Sequence, residues 1–212
     1  MFDDRLDAGK KLAEKLLKFK GKNATVLAIP RGGVEVGWEI AKKLDLPLSV
    51  IVVRKLGYPP EPEYGIGAIS ENDSLYLDEN AIKSLDINKY QIDKIKEKEE
   101  KELRRRIALY RKGESLPSLN EKTVILVDDG LATGVSARAA IIAVGNNSPG
   151  MIVFATPVTG KDTANIIRDK VDLFISALEV DELWAIGSFY RNFDQVSDKR
   201  VIELLSSGKA ID

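Results

Sequence analysis

The residues best equipped for chemistry are two adjacent carboxylates, Asp128 and Asp129, which follow the apolar run Thr123 to Val127 and precede Gly130-Leu131-Ala132-Thr133-Gly134. An apolar run, a small-residue turn and the helical pattern Val135 to about Val144 read as strand, turn and helix. Backbone N–H groups at the start of such a helix, with its dipole, favour an anion, and glycines let the backbone come close to it. A phosphate fits there. The carboxylates in front cannot bind the same phosphate, because like charges repel. They suit the vicinal hydroxyls of a sugar or the water shell of a cation. A phosphorylated sugar satisfies both halves of the pattern. An Asp-Asp pair by itself would be an acidic strand end with Thr133 capping the helix, but the seven-residue pattern as a whole favours a ligand site.

Composition narrows the chemistry further. The 212 residues include no His and no Cys, which excludes disulfides, thiolate nucleophiles, Ser-His-Asp triads and His- or Cys-ligated zinc. Lys and Arg total 32 against 33 for Asp and Glu, a net charge of -1. Nothing global then attracts nucleic acid or anionic lipid, so any phosphate must be held locally. Hydrophobic residues at 44% and charged ones at 31% allow a sizeable core under a solvated surface, and the length suits one compact domain, residues 1–212, with an embellishment. The acidic start Met1 to Asp7 is unlike a signal peptide, and no apolar run approaches a bilayer's thickness. A cytoplasmic protein without membrane or nucleic-acid partners is expected.

The elements that must position the carboxylates follow from periodicity. Leu6, Leu12, Ala13, Leu16 and Leu17 fall at helical spacing within Asp4 to Lys18, giving an amphipathic helix expected to lie as a lid on the core. Ala24 to Ile29, Pro30-Arg31-Gly32-Gly33 and Val34 to Leu44 read as strand, tight turn and helix. Leu48 to Val53 reads as a second uninterrupted strand ending in Arg54-Lys55, and such runs suit parallel strands covered on both faces. Gly57 to Gly65 contains three prolines and two glycines and reads as a loop. Ile66 to Ile69 and Ser74 to Leu77 form a small hairpin around Glu71-Asn72-Asp73. Asp86 to Lys112 is a long charged helix, whose alternating signs from Lys94 to Arg106 suit a solvated face. Met151 to Thr156 and Leu173 to Ala177 are further strands, with a helix near Asp162 to Asp169 between them. Glu179 to Asn192 is an aromatic-rich tail before a closing helix, Asp198 to Ser206. The alternation predicts a doubly wound α/β fold with a mainly parallel five-stranded sheet.

With these elements in place, VILVDDGLATG resembles the phosphoribosyl-pyrophosphate (PRPP) binding motif of type I phosphoribosyltransferases. Pro30-Arg31-Gly32-Gly33 stands where that family's pyrophosphate loop follows the first strand, and Arg54-Lys55 precedes the position of its mobile catalytic loop. FDDRLDAGKKLAEKL, PRGGVEVGWEIAKKL and VVRKLGYPPEPEYGIGA are most similar to a subgroup whose acceptor is not established. The resemblance implies the type I fold with a C-terminal hood at about 179–193. For the loops after the first and third strands to share one ligand, those strands must be neighbours, so the order 2-1-3-4-5 is expected, with the ligand at the carboxyl-end switch point.

The implied activity is transfer of the 5-phosphoribosyl group from PRPP to a nitrogenous acceptor, with Mg²⁺ and release of pyrophosphate, as in nucleotide salvage. Asp128 and Asp129 would bind the ribose hydroxyls and meet the metal indirectly, mainly through PRPP. Gly130, Leu131, Ala132, Thr133 and Gly134 would cradle the 5′-phosphate, and Arg31, Gly32 and Gly33 the pyrophosphate. Arg54 and Lys55 would be catalytic cations, and the following loop would exclude water, with Glu61 or Glu63 as a base for the acceptor. Trp184, Phe189 and Tyr190 would stack on a flat acceptor ring, or else pack in the core. The 6-oxopurine branch carries an acidic residue where Ala132 stands, so an adenine-like acceptor is the leading expectation. A homodimer is expected from the family. The alternative is a PRPP-sensing regulator that binds the donor without consuming it.

Overall fold

The computed structural model describes residues 1–208, apart from the side chain of Glu63. Helix α1 (Arg5–Lys15) leads into β1 (Ala24–Ala28), α2 (Gly32–Leu44) and β2 (Leu48–Val50), after which β3 (Val53–Tyr58), β4 (Glu61–Ser70) and β5 (Leu75–Leu77) form a separate antiparallel sheet. Helices α3 (Glu79–Ser84) and α4 (Lys89–Arg111) return the chain to β6 (Thr123–Val127), α5 (Val135–Gly145), β7 (Met151–Gly160), α6 (Lys161–Arg168), β8 (Leu173–Val180) and α7 (Asp198–Ser207). Among the described residues no helix is long and apolar enough to cross a membrane.

The larger sheet has the order β2-β1-β6-β7-β8 with every pair parallel, which is the expected 2-1-3-4-5 order once β6 is counted as its third strand. Each central strand divides its residues between two cores. Val26, Ala28, Ile125, Val127, Val153 and Ala155 face one apolar cluster with the inner faces of α1 and α2. Leu27, Val124, Leu126 and Phe154 face a second cluster with α5. Successive side chains point to opposite faces of a strand, so a run that is apolar throughout must be covered on both sides. Helix α5 is rich in alanine because it lies between two sheets: Ala137, Ala139, Ala140 and Ala143 are buried, and Ala68 of β4 joins the same cluster.

The crossing into the second sheet differs from the sequence expectation. β2 stops at Val50, and Val53 pairs instead with Ser70 of β4, so Arg54 and Lys55 lie within a different sheet from β2. The expected loop of Gly57 to Gly65 is mostly strand, with only Pro59 and Pro60 outside it. The ladder pairs Gly57 with Gly65 and Tyr58 with Glu61. Pro62 therefore falls in the bulge between those pairs, where a missing N–H costs no ladder bond. The prolines shape a hairpin arm rather than preventing one.

A buried ion pair fixes the root of this arm. Arg111 of α4 engages both carboxylate oxygens of Glu71, at 2.7 Å for Nη1 to Oε1, and its Nη1 also donates to the Val50 carbonyl. Glu71 Oε1 accepts from the Val52 N–H at 2.9 Å, and Ser70 Oγ donates to the Val52 carbonyl. Of the two residues that leave one sheet for the other, Ile51 donates its N–H to the Ala28 carbonyl, and Val52 has both backbone groups satisfied by side chains, as buried peptide groups require.

Candidate active site

The turns after β1 and β6 meet at the carboxyl edge of the sheet. Ile29 N–H donates to the Val127 carbonyl at 2.8 Å, which carries the β1–β6 ladder up to the turns. The Pro30–Arg31 peptide is cis, and α2 starts at the next residue. A Cβ on Gly33 would stand 2.8 Å from the Val127 carbonyl oxygen and 3.1 Å from Asp128 Cα, and a Cβ on Gly32 would overlap the Asp129 carboxylate. Only glycine admits so close an approach. The two expected ligand loops, Arg31 to Gly33 and Asp128 to Gly134, are therefore in direct contact.

The second loop ends in an open helix start. Gly134, at φ 73°, takes the left-handed conformation that favours glycine and precedes α5, whose first turn receives no side-chain cap. Thr133 and Ala132 are exposed, and Leu131 is buried through its backbone bond to the Val158 carbonyl. Thr133 therefore does not cap the helix. The Ala132 carbonyl accepts from Thr163 Oγ1 of α6 at 2.7 Å, which fixes the loop from its far side. Free N–H groups at the start of an eleven-residue helix, at the end of a parallel sheet, form a ready anion site.

The two carboxylates have different environments. Asp128 is only half-buried by its own surface, yet it sits on the floor of the crevice with protein all around it. That burial, and then the charge of Asp129, push its pKa well above the usual carboxylate range, against the Asp129 N–H bond to Oδ1 and the charge of Arg5. Asp129 is paired: Arg5 Nε of α1 donates to its Oδ2 at 2.6 Å, and the two side chains are only 15% and 8% exposed. Both groups offer hard oxygen donors that suit Mg²⁺. Among the described residues no cluster of three or more acidic side chains stands ready to hold a metal alone, so a metal here would need further oxygens from its ligand.

The remaining expected residues are distributed unevenly. Arg31 stands 3.7 Å from Asp198 Oδ1, at the start of α7. Arg54 pairs with Glu99 of α4, with Nε to Oε2 at 2.8 Å and Nη2 to Oε2 at 2.6 Å. Alternation along β3 sends Lys55 to the opposite face. There its stem passes Gly65, whose Cβ position lies 3.0 Å from Lys55 Cδ and 3.8 Å from Val135 at the start of α5. Glu61 is exposed on the arm, and the Glu63 side chain lies outside the described residues.

The aromatic residues of the segment 179–193 are not equivalent. A short 3₁₀ turn, Ile186–Phe189, lays Ile186 on Gly130, where any Cβ would collide with it. Tyr190 is buried, with its ring packed on Phe2 and Phe193 at centroid distances of 5.3 and 4.8 Å. Its hydroxyl donates to the Asp129 carbonyl at 2.5 Å, and burial, then Asp129, hold that hydroxyl above the usual phenol range. Of the two roles expected for Tyr190, stacking or core packing, the ring is engaged in packing. Phe189 is half-buried against the same cluster, and Trp184 is 89% exposed. Sequence reading assigned no role to Arg5, Ile186, Asp198 or Thr163: Arg5 stands in the opening segment FDDRLDAGKKLAEKL and Ile186 in the tail, but nothing local marks either as a contact of the two loops.

Comparison with known proteins shows the family. The family model for the phosphoribosyl transferase domain matches residues 3–191. Proteins from two strains of Mycobacterium tuberculosis, carried under the provisional name of phosphoribosyl transferase, are 37% identical over 205 residues, which is 97% of this chain and 46% of theirs. The chain thus spans about half the length of these curated relatives. A crystal structure from Thermus thermophilus is 32% identical with a TM-score of 0.78, over 97% of both chains. The purine phosphoribosyltransferase of Pyrococcus horikoshii is 18% identical with a TM-score of 0.52, covering 93% of this chain and 97% of that one, and shares the fold. On the extent of the family match and the identity to these relatives, the chain belongs to the phosphoribosyl transferase domain family.

Proposed function

We propose that this chain transfers the 5-phosphoribosyl group of PRPP to a nitrogenous acceptor and releases pyrophosphate. The observation that carries this reading is the contact between Gly32-Gly33 and Asp128-Asp129 beside the uncapped start of α5. One ligand with a pyrophosphate, two vicinal hydroxyls and a 5′-phosphate can engage all three at once.

In this reading Gly130 to Gly134 and the first N–H groups of α5 hold the 5′-phosphate. Asp128 and Asp129 accept hydrogen bonds from the ribose hydroxyls, and Arg31 with the Gly32 and Gly33 peptides holds the pyrophosphate. When bound, Mg²⁺ neutralises charge on the leaving pyrophosphate, and Asp128 and Asp129 meet it chiefly through PRPP. The anomeric carbon loses pyrophosphate as the acceptor nitrogen arrives, and no protein nucleophile is needed. The protein contributes position and electrostatics, for which well-oriented reactants gain about 7 to 11 kcal/mol. A chain without His or Cys can do this chemistry.

Lys55, on the face of the arm that looks toward α5, is the cation assigned to the leaving group, while Arg54 anchors the arm to α4. Glu61 or Glu63 serves as the acceptor's base, and Trp184 and Phe189 form the acceptor side under the hood, residues 179–193. The absence of a carboxylate at Ala132 supports an adenine-like ring over a 6-oxopurine. The unit is residues 1–212, acting in the cytoplasm as a homodimer. Titration of the purified chain with PRPP and Mg²⁺, followed by a pyrophosphate-release screen over purine and pyrimidine bases, tests the donor, the transfer and the acceptor. Release with one base supports the transferase and names its acceptor. Binding with no release on any base points to a PRPP sensor, and no binding removes the donor assignment.

A further inference from the structure

Arg5 lies where three parts of the molecule meet. Its Nε donates to Asp129 Oδ2 at 2.6 Å, its Nη1 donates to the Asp194 carbonyl at 2.7 Å, and its guanidinium lies 3.8 Å from the centroid of the Phe193 ring. A Cβ on Gly32 would come within 2.7 Å of Arg5 Nε, so the same guanidinium also touches the pyrophosphate loop. The residues around it are fastened to one another. Phe2 N–H donates to the Phe189 carbonyl, Arg191 N–H to the Phe2 carbonyl and Asn192 N–H to the Asp3 carbonyl. Tyr190 meanwhile bonds the backbone of Asp129. The start of the chain and the hood are thus one layer, and Arg5 is the cation through which that layer reaches the carboxylate.

A buried arginine with a fork of donors fixes its partner's orientation as well as its charge. An aspartate beside a second carboxylate would otherwise turn or be neutralised, since two like charges at contact repel. From this geometry, and resting on the donor reading above, we infer that Arg5 is a positioning residue: it holds Asp129 by Oδ2, presents Oδ1 to a ribose hydroxyl, and makes donor binding depend on a seated hood. It touches neither the leaving group nor the acceptor.

The inference separates ligands by whether they carry the sugar. PRPP needs Asp129, whereas inorganic pyrophosphate needs only the Arg31 to Gly33 loop. Calorimetric titration of the wild type, Arg5→Met, Arg5→Lys, Asp129→Asn and the Arg5→Met/Asp129→Asn double variant with each ligand, in Mg²⁺, tests it. Arg5→Met is expected to weaken PRPP at least tenfold and pyrophosphate less than twofold, and Arg5→Lys to recover part of the loss. On the Asp129→Asn background the Arg5→Met change should add less than twofold, because residues that act through one another are not additive. Equal weakening of both ligands, or a full additive loss on Asp129→Asn, would overturn the assignment and leave Arg5 a packing residue. If Arg5→Met fails to fold, the ratio of PRPP to pyrophosphate loss in Arg5→Lys decides in the same way. A wild type that binds pyrophosphate but not PRPP would overturn the donor reading itself, and this inference with it.

Discussion

Arg31 Nη1 lies 3.7 Å from Asp198 Oδ1, so the guanidinium assigned to pyrophosphate leans on the first residue of the last helix. Asp198 also accepts from Tyr110 Oη at 2.5 Å and from Arg105 Nη2 at 3.4 Å. Tyr110, Arg105 and then Arg31 hold its carboxyl below the usual range. A carboxylate and a pyrophosphate compete for the same cation. Asp198→Asn should therefore tighten pyrophosphate binding about two- to fivefold, while costing about 0.5 to 1 kcal/mol of stability at this partly exposed site. Calorimetry and a denaturant titration read the two effects, and weaker pyrophosphate binding in the variant would count against the assigned role of Arg31.

Tyr110 supplies a test by pH. Burial, and next the Asp198 bond, push its hydroxyl up from an ordinary 10.0 to about 12. A raised pKa means that the fold favours the neutral phenol. Its contribution is complete below pH 10 and is lost as pH climbs from about 10 to about 12. The stability difference between wild type and Tyr110→Phe, followed by melting from pH 8 to 12, should be constant up to pH 10 and then shrink. A difference that grows in that window would contradict the bond to Asp198.

The buried Glu71–Arg111 pair should behave as a unit. Removing one partner leaves the other charged and unpaired among the Val50 and Val52 backbone groups. Glu71→Ala and Arg111→Ala are each expected to cost about 3 to 5 kcal/mol, the usual range for breaking a buried pair. The double variant should cost less than the sum. Urea unfolding of the three variants checks this, and strict additivity would mean that the pair is not coupled.

Much of this was legible in the sequence, for identifiable reasons. The strands of the large sheet are short apolar runs because helices cover both faces, and the Asp128 to Gly134 turn must be contiguous to form one phosphate cradle. The β2–β3 break was not legible. Leu48 to Val53 is apolar but for Ser49 and carries no break signal, and what divides it is the side chain of Glu71, nineteen residues from Val52, whose N–H it bonds. The arm was concealed by its prolines, since a bulge that excuses Pro62 leaves no local mark. Arg5 and Asp129 are 124 residues apart, and α1 shows only its amphipathic stripe. Tyr190 illustrates a limit of residue type: an aromatic ring near a ligand site suits packing and stacking equally, and only its neighbours decide.

The site should also trade stability for function. Burial and Asp129 push Asp128 well up, so the neutral form is favoured and this contribution to stability is lost as pH rises through the folded pKa. Near neutral pH the empty protein bears a cost that Asn does not. Asp128→Asn should raise the melting temperature near neutral pH. A lower melting temperature would show that the carboxylate is structurally required.

The most direct test of the account is PRPP affinity in the Asp128→Asn/Asp129→Asn variant, measured by calorimetry in Mg²⁺ beside the wild type and with melting curves for both. The account predicts wild-type binding, a folded variant, and a loss of PRPP affinity of at least a hundredfold while inorganic pyrophosphate binds within a few-fold of wild type. PRPP binding of equal strength in the two proteins would contradict it.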